Sequence, residues 1–140
     1  MSDFRRILMA AWGIPEGDHT FDDFDLGNVL YAKGVTEGFG MVKVAVTPYI
    51  QVTAGHSITF ASGLGLTMGS NAFQIAIYNS SKVPVNHYDL NSASRTIASF
   101  SSIAGSTPYV RMVCDFDNLA NAYILDNTTG TYLFRGSDYV

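Results

Sequence analysis

Residues 107–136, TPYVRMVCDFDNLANAYILDNTTGTYLFRG, decide how this chain folds. From Tyr109 to Phe116 two sets alternate: Tyr109, Arg111, Val113 and Asp115 in one, Val110, Met112, Cys114 and Phe116 in the other. A period of two sends the sets to opposite faces of a strand. The second set is wholly apolar, so it is expected to point into a core. Asp115, Asp117 and Asn118 break the run, and residues 121–125, NAYIL, resume it. Residues 126–130, DNTTG, read as a tight turn, and 131–134, TYLF, close an antiparallel hairpin.

The same reading extends outward. A first strand is expected over residues 24–31, ending at a Lys33-Gly34 turn. Residues 42–46 alternate Val42, Val44 and Val46 with Lys43 and Ala45, and 49–52, 57–61 and 73–78 continue extended. Leu64, Leu66 and Met68 lie in a glycine-rich stretch expected to cross between sheets. Residues 85–90 and 95–100 read as short peripheral strands. Short strands punctuated by turns, with no helical pattern after the N-terminus, make an all-β fold, an antiparallel β-sandwich of jelly-roll type.

The chain has 140 residues, room for one domain that needs neither disulfide nor metal to fold. It is 47% hydrophobic and only 14% charged, with Gly, Ser, Thr and Asn filling the gap. A net charge of −4 gives no basic stripe for nucleic acid. No apolar run reaches membrane-spanning length, and the six-residue apolar stretch after Arg5 and Arg6 is too short for a typical signal peptide. The single cysteine, Cys114, reads as a buried structural thiol.

Residues 1–18 differ from the rest. Ser2 or Asp3 is a suitable helix cap, and Phe4, Ile7, Leu8 and Ala11 share one helical face. A Pro/Gly linker, GIPEGD, follows at residues 13–18, and the sandwich domain is expected over 19–140. Two readings are open: a segment folded back on its own domain, or a helical or extended arm that docks on another subunit. The linker favours the arm, with Phe4, Arg5, Arg6, Ile7, Leu8 and Trp12 as its partner-contacting residues.

Catalytic motifs are absent from the sequence: no P-loop, GxSxG, HExxH or CxxC occurs. His19, His56 and His87 are scattered and read as ordinary loop or strand-end residues. Asp18, Asp22, Asp23 and Asp25 lack the EF-hand spacing and read as a solvated turn rather than a metal site. No nucleophile, base and orienting group assemble, so neither an enzyme nor a cofactor is expected. The polar or aromatic residues suited to holding a sugar are Gln74, Tyr78, His87, Tyr109 and Arg111: a ring stacks on a pyranose while Gln and Arg donate to hydroxyls. The plainer alternative pairs Arg111 with a carboxylate such as Asp115 and leaves Tyr109 covering a rim.

Four stretches, YIQVTAGHSITF, FQIAIYNSSKVPV, TPYVRMVCDFD and AYILDNTTGTYLFRG, resemble the carbohydrate-binding-module-like jelly-roll domains of bacteriophage tail and capsid-surface proteins. Leu26-Gly27-Asn28-Val29 fits their opening strand. Tyr49, Val52, Gly55 and Phe60 fit the second element, Tyr78 the third, and Pro108, Tyr109 and Arg111 the fourth. The opening FRRILMAAW is similar to those of virion proteins from gut Bacteroidales phages, including the crAss-like group. The resemblance implies a non-enzymatic virion structural protein, a capsid-decoration, head-fibre or tail-associated component assembled in the host cytoplasm. Its implied partners are other virion proteins and further copies of itself. The alternative it implies is an adhesion module for host surface glycans. The module contains no tryptophan, since Trp12 lies in the arm, and this departure favours the structural use.

Overall fold

The computed structural model of the chain describes residues 3–26, 28–31, 36–38, 43–63, 72–90, 94–100 and 107–140. Its one α-helix among them is α1, Asp3–Ala11. The buried stripe of α1 runs through Met9, which enters the core, with Leu8 and the following Trp12 packed against it. Ile7, by contrast, is 65% exposed. The expected stripe through Ile7 and Ala11 is therefore displaced by one position. Met9 is buried instead, Trp12 packs partly buried against the core, and Arg5 comes onto the same side. The Arg5 guanidinium donates to the carbonyls of Phe21 and Phe24, tying the helix to the turn that feeds the first strand. The helix ends in a Schellman motif: Gly13 N–H donates to Ala10 O at 3.2 Å and Ile14 N–H to Met9 O at 2.9 Å. That geometry needs the left-handed backbone Gly13 adopts, φ 75°. A detached arm is thus not what residues 3–18 form, because Met9 and Ile14 belong to the core of the sandwich itself.

In chain order the strands are β1 Asp25–Leu26, β2 Asn28–Tyr31, β3 Thr36–Gly38, β4 Val44–Val46, β5 Ile50–Gln51, β6 Ile58–Ala61 and β7 Ala72–Phe73. There follow β8 Ile75–Tyr78, β9 Pro84–Tyr88, β10 Arg95–Ile97, β11 Tyr109–Asp115, β12 Tyr123–Asp126 and β13 Thr131–Arg135. One sheet has the order β1-β4-β11-β8-β9, with β5 also paired to β11; the facing sheet has the order β10-β6-β12-β13. Every pairing is antiparallel. The β8–β11 pair in one sheet nests within the β6–β12 pair in the other, the Greek-key winding of a sandwich. A third small sheet, β3-β2-β7, brings β2 against β4 and β11. The Lys33-Gly34 turn and the crossing through Leu64, Leu66 and Met68 lie outside the described residues.

The inner faces meet as expected. Ala45, Ile75, Ile77, Val110, Met112 and Cys114 from the large sheet pack on Ile58, Phe60, Ile124 and Phe134 from the small one. Each large apolar side chain so buried stabilises the fold by about 1.5–3 kcal/mol. The other face of β11 is dry as well: Val113 is fully buried and Arg111 is 5% exposed. Phe116, expected in the inward row, does not continue it. The strand stops at Asp115, whose carboxylate accepts from Asp117 N–H at 3.2 Å and Asn118 Nδ2 at 2.7 Å, turning the chain into a 3-10 segment, Phe116–Asn121.

Phe116 instead joins an aromatic cluster that gathers both ends of the chain. Its ring lies 4.9 Å from Trp12 and 5.2 Å from Phe21. Phe24 meets Tyr139 edge-on at 5.0 Å, and Tyr139 stacks on Phe134 at 5.6 Å. The final 3-10 segment, Gly136–Tyr139, approaches so closely that a Cβ on Gly136 would fall 1.7 Å from the Leu119 carbonyl oxygen. Only glycine fits there. The helix should therefore contribute to stability through its inward face alone. Trp12→Ala is expected to cost about 2 kcal/mol, near half the figure for a fully buried aromatic, and Ile7→Ala within about 0.5 kcal/mol of nothing. Denaturant midpoints check this; equal effects would contradict the packing described.

Candidate functional site

The outer face of the large sheet gathers the candidate sugar-binding residues. Tyr109 lies opposite Tyr78, and Arg111 opposite Ala76, whose other neighbour is His87. Gln74 precedes β8 and holds Leu90, accepting its backbone N–H at 3.0 Å through Oε1. The five residues thus share one region of the fold, but three of them are spent on holding it. Gln74 and Tyr78 are buried, and so is Arg111. Arg111 Nε donates to Thr47 O at 2.8 Å, and Nη2 reaches Asp25 Oδ2 at 2.6 Å. The partner carboxylate is therefore Asp25 on β1, not Asp115, which is occupied by its own turn. Burial pushes the Tyr78 hydroxyl up to about 12, against the pull of the Arg111 charge. It stays protonated at any ordinary pH. Burial, helped by the charge of Asp115, likewise pushes the Cys114 thiol up and keeps it from acting as a thiolate.

Two residues outside the sugar-binding candidates complete this face. Tyr49, which is 39% exposed, packs edge-on against Tyr78 at 4.9 Å and against Tyr109 at 6.4 Å. The Arg111 guanidinium sits 4.7 Å from its ring centre. Lys82 Nζ lies 5.0 Å from the Tyr49 ring and 5.4 Å from the Tyr109 ring. The turn between β8 and β9 aims this lysine. Asn79 Oδ1 accepts from Ser81 N–H at 2.9 Å and Val83 N–H at 3.0 Å. Asn79 O accepts from Lys82 N–H at 2.9 Å, with Lys82 at φ 61°. A left-handed residue other than glycine costs roughly 1–2 kcal/mol, and two exposed cation–π contacts return about 0.5–1 kcal/mol each. The two nearly cancel, so stability gives little reason for lysine over glycine here. Asn79-Ser80-Ser81-Lys82 is a turn-forming sequence, but nothing local reveals which rings the lysine meets.

The outward side of α1 forms a second region. The exposed Arg6 and Ala10, with Pro15 and His19 and the buried Met9 and Ile14 beneath, line a pocket of about 270 Å³ between the helix and the linker. Glu16 and Asp18 line it as well. Of the arm residues expected to meet a partner, Ile7 and Arg6 point outward, whereas Leu8 and Trp12 turn inward and Arg5 is bound to backbone carbonyls. Phe4 lies in α1. The acidic stretch beside it forms a local turn, with Asp18 accepting from Thr20 N–H at 2.9 Å and His19 Nδ1 2.8 Å from Asp22. Among the described residues no group of three His, Cys, Asp or Glu side chains could hold a metal.

His56 is not the isolated strand-end residue it resembles in sequence. Its Nδ1 lies 2.8 Å from Asp126 Oδ2, across 70 residues of chain. Asp126 also accepts from Thr128 N–H at 3.0 Å and Thr129 N–H at 3.2 Å. Burial works against this carboxylate's charge, but the His56 and backbone hydrogen bonds outweigh it and hold its pKa below the ordinary value. Comparison with protein-family models, with curated proteins and with solved structures gives no match.

A carboxylate with a lowered native pKa adds stability that is present above about pH 4, its unfolded value, and is lost as pH falls through the folded value. Asp126→Asn should therefore be less stable than the parent by about 1–3 kcal/mol at pH 7, and the gap should close towards pH 3. Denaturant unfolding at both pH values checks this. A gap that stays constant would show that the charge of Asp126 contributes nothing.

Proposed function

We propose that the chain is a non-enzymatic structural protein of a phage virion surface, a capsid-decoration, head-fibre or tail-associated component, seated on a neighbouring virion protein through the outward side of α1. The observation that carries the attachment is Ile7. A helix fixed to its own domain by Met9, Leu8 and Trp12 leaves this large aliphatic side chain 65% exposed, on the same helix whose Arg6 and Ala10 line an apolar pocket. At about 270 Å³ that pocket falls just under the range of small-molecule sites, and it suits a protruding side chain of a partner. The virion setting rests on the resemblance of the opening FRRILMAAW and of the four module stretches. Because the helix is packed on the sandwich, attachment would orient the whole domain rather than tether it loosely.

A second reading, recognition of host surface glycans, is favoured by one feature, the exposed Tyr49 beside Lys82 and Tyr109 on the outer sheet face. The leading reading is tested by sedimentation with purified phage particles. The parent protein is expected to co-sediment, and Ile7→Asp and Ala10→Arg, both solvent-facing changes, should lose particle association while keeping the parent's unfolding transition. Parent protein that stays in the supernatant, or variants that sediment normally, would overturn it.

A further inference from the structure

The Lys82 turn has a geometry that folding does not require. We infer that it is a binding site for the carboxylate of an acidic sugar, formed by Lys82, Tyr49 and Tyr109 with Arg111 behind them. This deepens the glycan reading and rests on it.

Three observations converge. Lys82 occupies a left-handed position where glycine would sit without strain, and it spends that position on placing an ammonium over two tyrosine rings. Among the described residues no carboxylate pairs with Lys82, while Arg111 is paired with Asp25. The spot is therefore locally cationic on a chain whose net charge is −4. The cations are also held rather than free, since Arg111 is fixed by Thr47 O and Asp25 and its guanidinium rests against the Tyr49 ring. A prearranged charge loses little freedom on binding.

The backbone decides between a sugar and an acidic peptide. The N–H groups of Ser81 and Val83 donate to Asn79 Oδ1, that of Lys82 to Asn79 O, and that of Asn79 to Val83 O. Four of the five amides from Asn79 to Val83 are thus bonded within the turn, which leaves little for a peptide main chain. What it offers is side-chain chemistry: an ammonium for a carboxylate, and the phenol hydroxyls of Tyr49 and Tyr109 for ring hydroxyls. Arg111 acts behind them as a positioning residue, setting the Tyr49 ring and adding positive field.

Calorimetric titration with trigalacturonate and with a glucuronate-bearing tetrasaccharide tests this, with the fully methyl-esterified trisaccharide and hexaglutamate as controls. At least one acidic oligosaccharide is expected to bind, and binding should weaken tenfold or more in Lys82→Gly and in Lys82→Asn and fall with added salt. Both variants should melt within a few degrees of the parent, since glycine and asparagine accept the left-handed backbone. Binding of the ester as tight as the acid would overturn the carboxylate assignment and leave glycan recognition standing. Hexaglutamate binding equally well would point to an acidic protein instead. Binding of neither acidic sugar would overturn this site, and failure of the ester to bind as well would count against the glycan reading. A large loss of stability in both variants would make Lys82 a structural clamp.

Discussion

The fold depends on β11 being buried on both faces. A sandwich strand ordinarily has one dry face and one wet one, and the Val110, Met112 and Cys114 row fills the dry one. Here the opposite row is dry as well. Val113 meets Val46 across the ladder, both fully buried, and β2 lies near β4 and β11. Burial on this face forces every polar group there to find a partner inside the protein. Thr47 Oγ1 accepts from Met112 N–H at 3.0 Å, and Arg111 is held by Thr47 O and Asp25. The cation that looks like a ligand-binding group in sequence is thus mainly a bolt through the outer layer. What remains outward is the rim it supports, Tyr49, Tyr109 and Lys82.

The same logic joins the ends of the chain to the middle. Trp12, Phe21, Phe24, Phe116, Phe134 and Tyr139 come from five separate segments and form one connected set of ring contacts. Arg5 adds charged hydrogen bonds to two carbonyls at the same corner. The helix is therefore part of the domain, and its outward residues belong to a rigid surface. For a protein read as an assembly component, that rigidity would transmit position from the docked helix to the displayed sheet face.

Much of this architecture was legible in the residues. The hairpin of β12 and β13 and the inward row of β11 follow from period-two alternation and a DNTTG turn, both local signals. The small-sheet core through Ile58, Phe60 and Ile124 follows the same way. The second buried layer was not legible, because its members include Arg111, Gln74 and Thr47, residue types that signal solvent. Their burial is decided by partners 16, 64 and 65 residues away in the chain. The helix stripe was misread for a related reason. Ile7 and Met9 are similar in hydrophobicity, and only the position of the Phe21–Phe24 turn, which draws in Arg5, decides which side is buried. Lys82 was hidden because a left-handed lysine has no sequence signature.

The two-sided burial of β11 is tested most directly by native-state hydrogen exchange of its amides. The N–H groups of Met112 and Val113 are both bonded inside the protein, to Thr47 Oγ1 and to Gln74 O. If both layers are as tight as described, these amides should exchange only through global unfolding, with the same free energy as the denaturant-measured stability. Exchange of either amide well below that free energy would mean that the outer layer opens on its own. Arg111 would then lie at a labile surface, and β11 would be an ordinary one-sided sandwich strand.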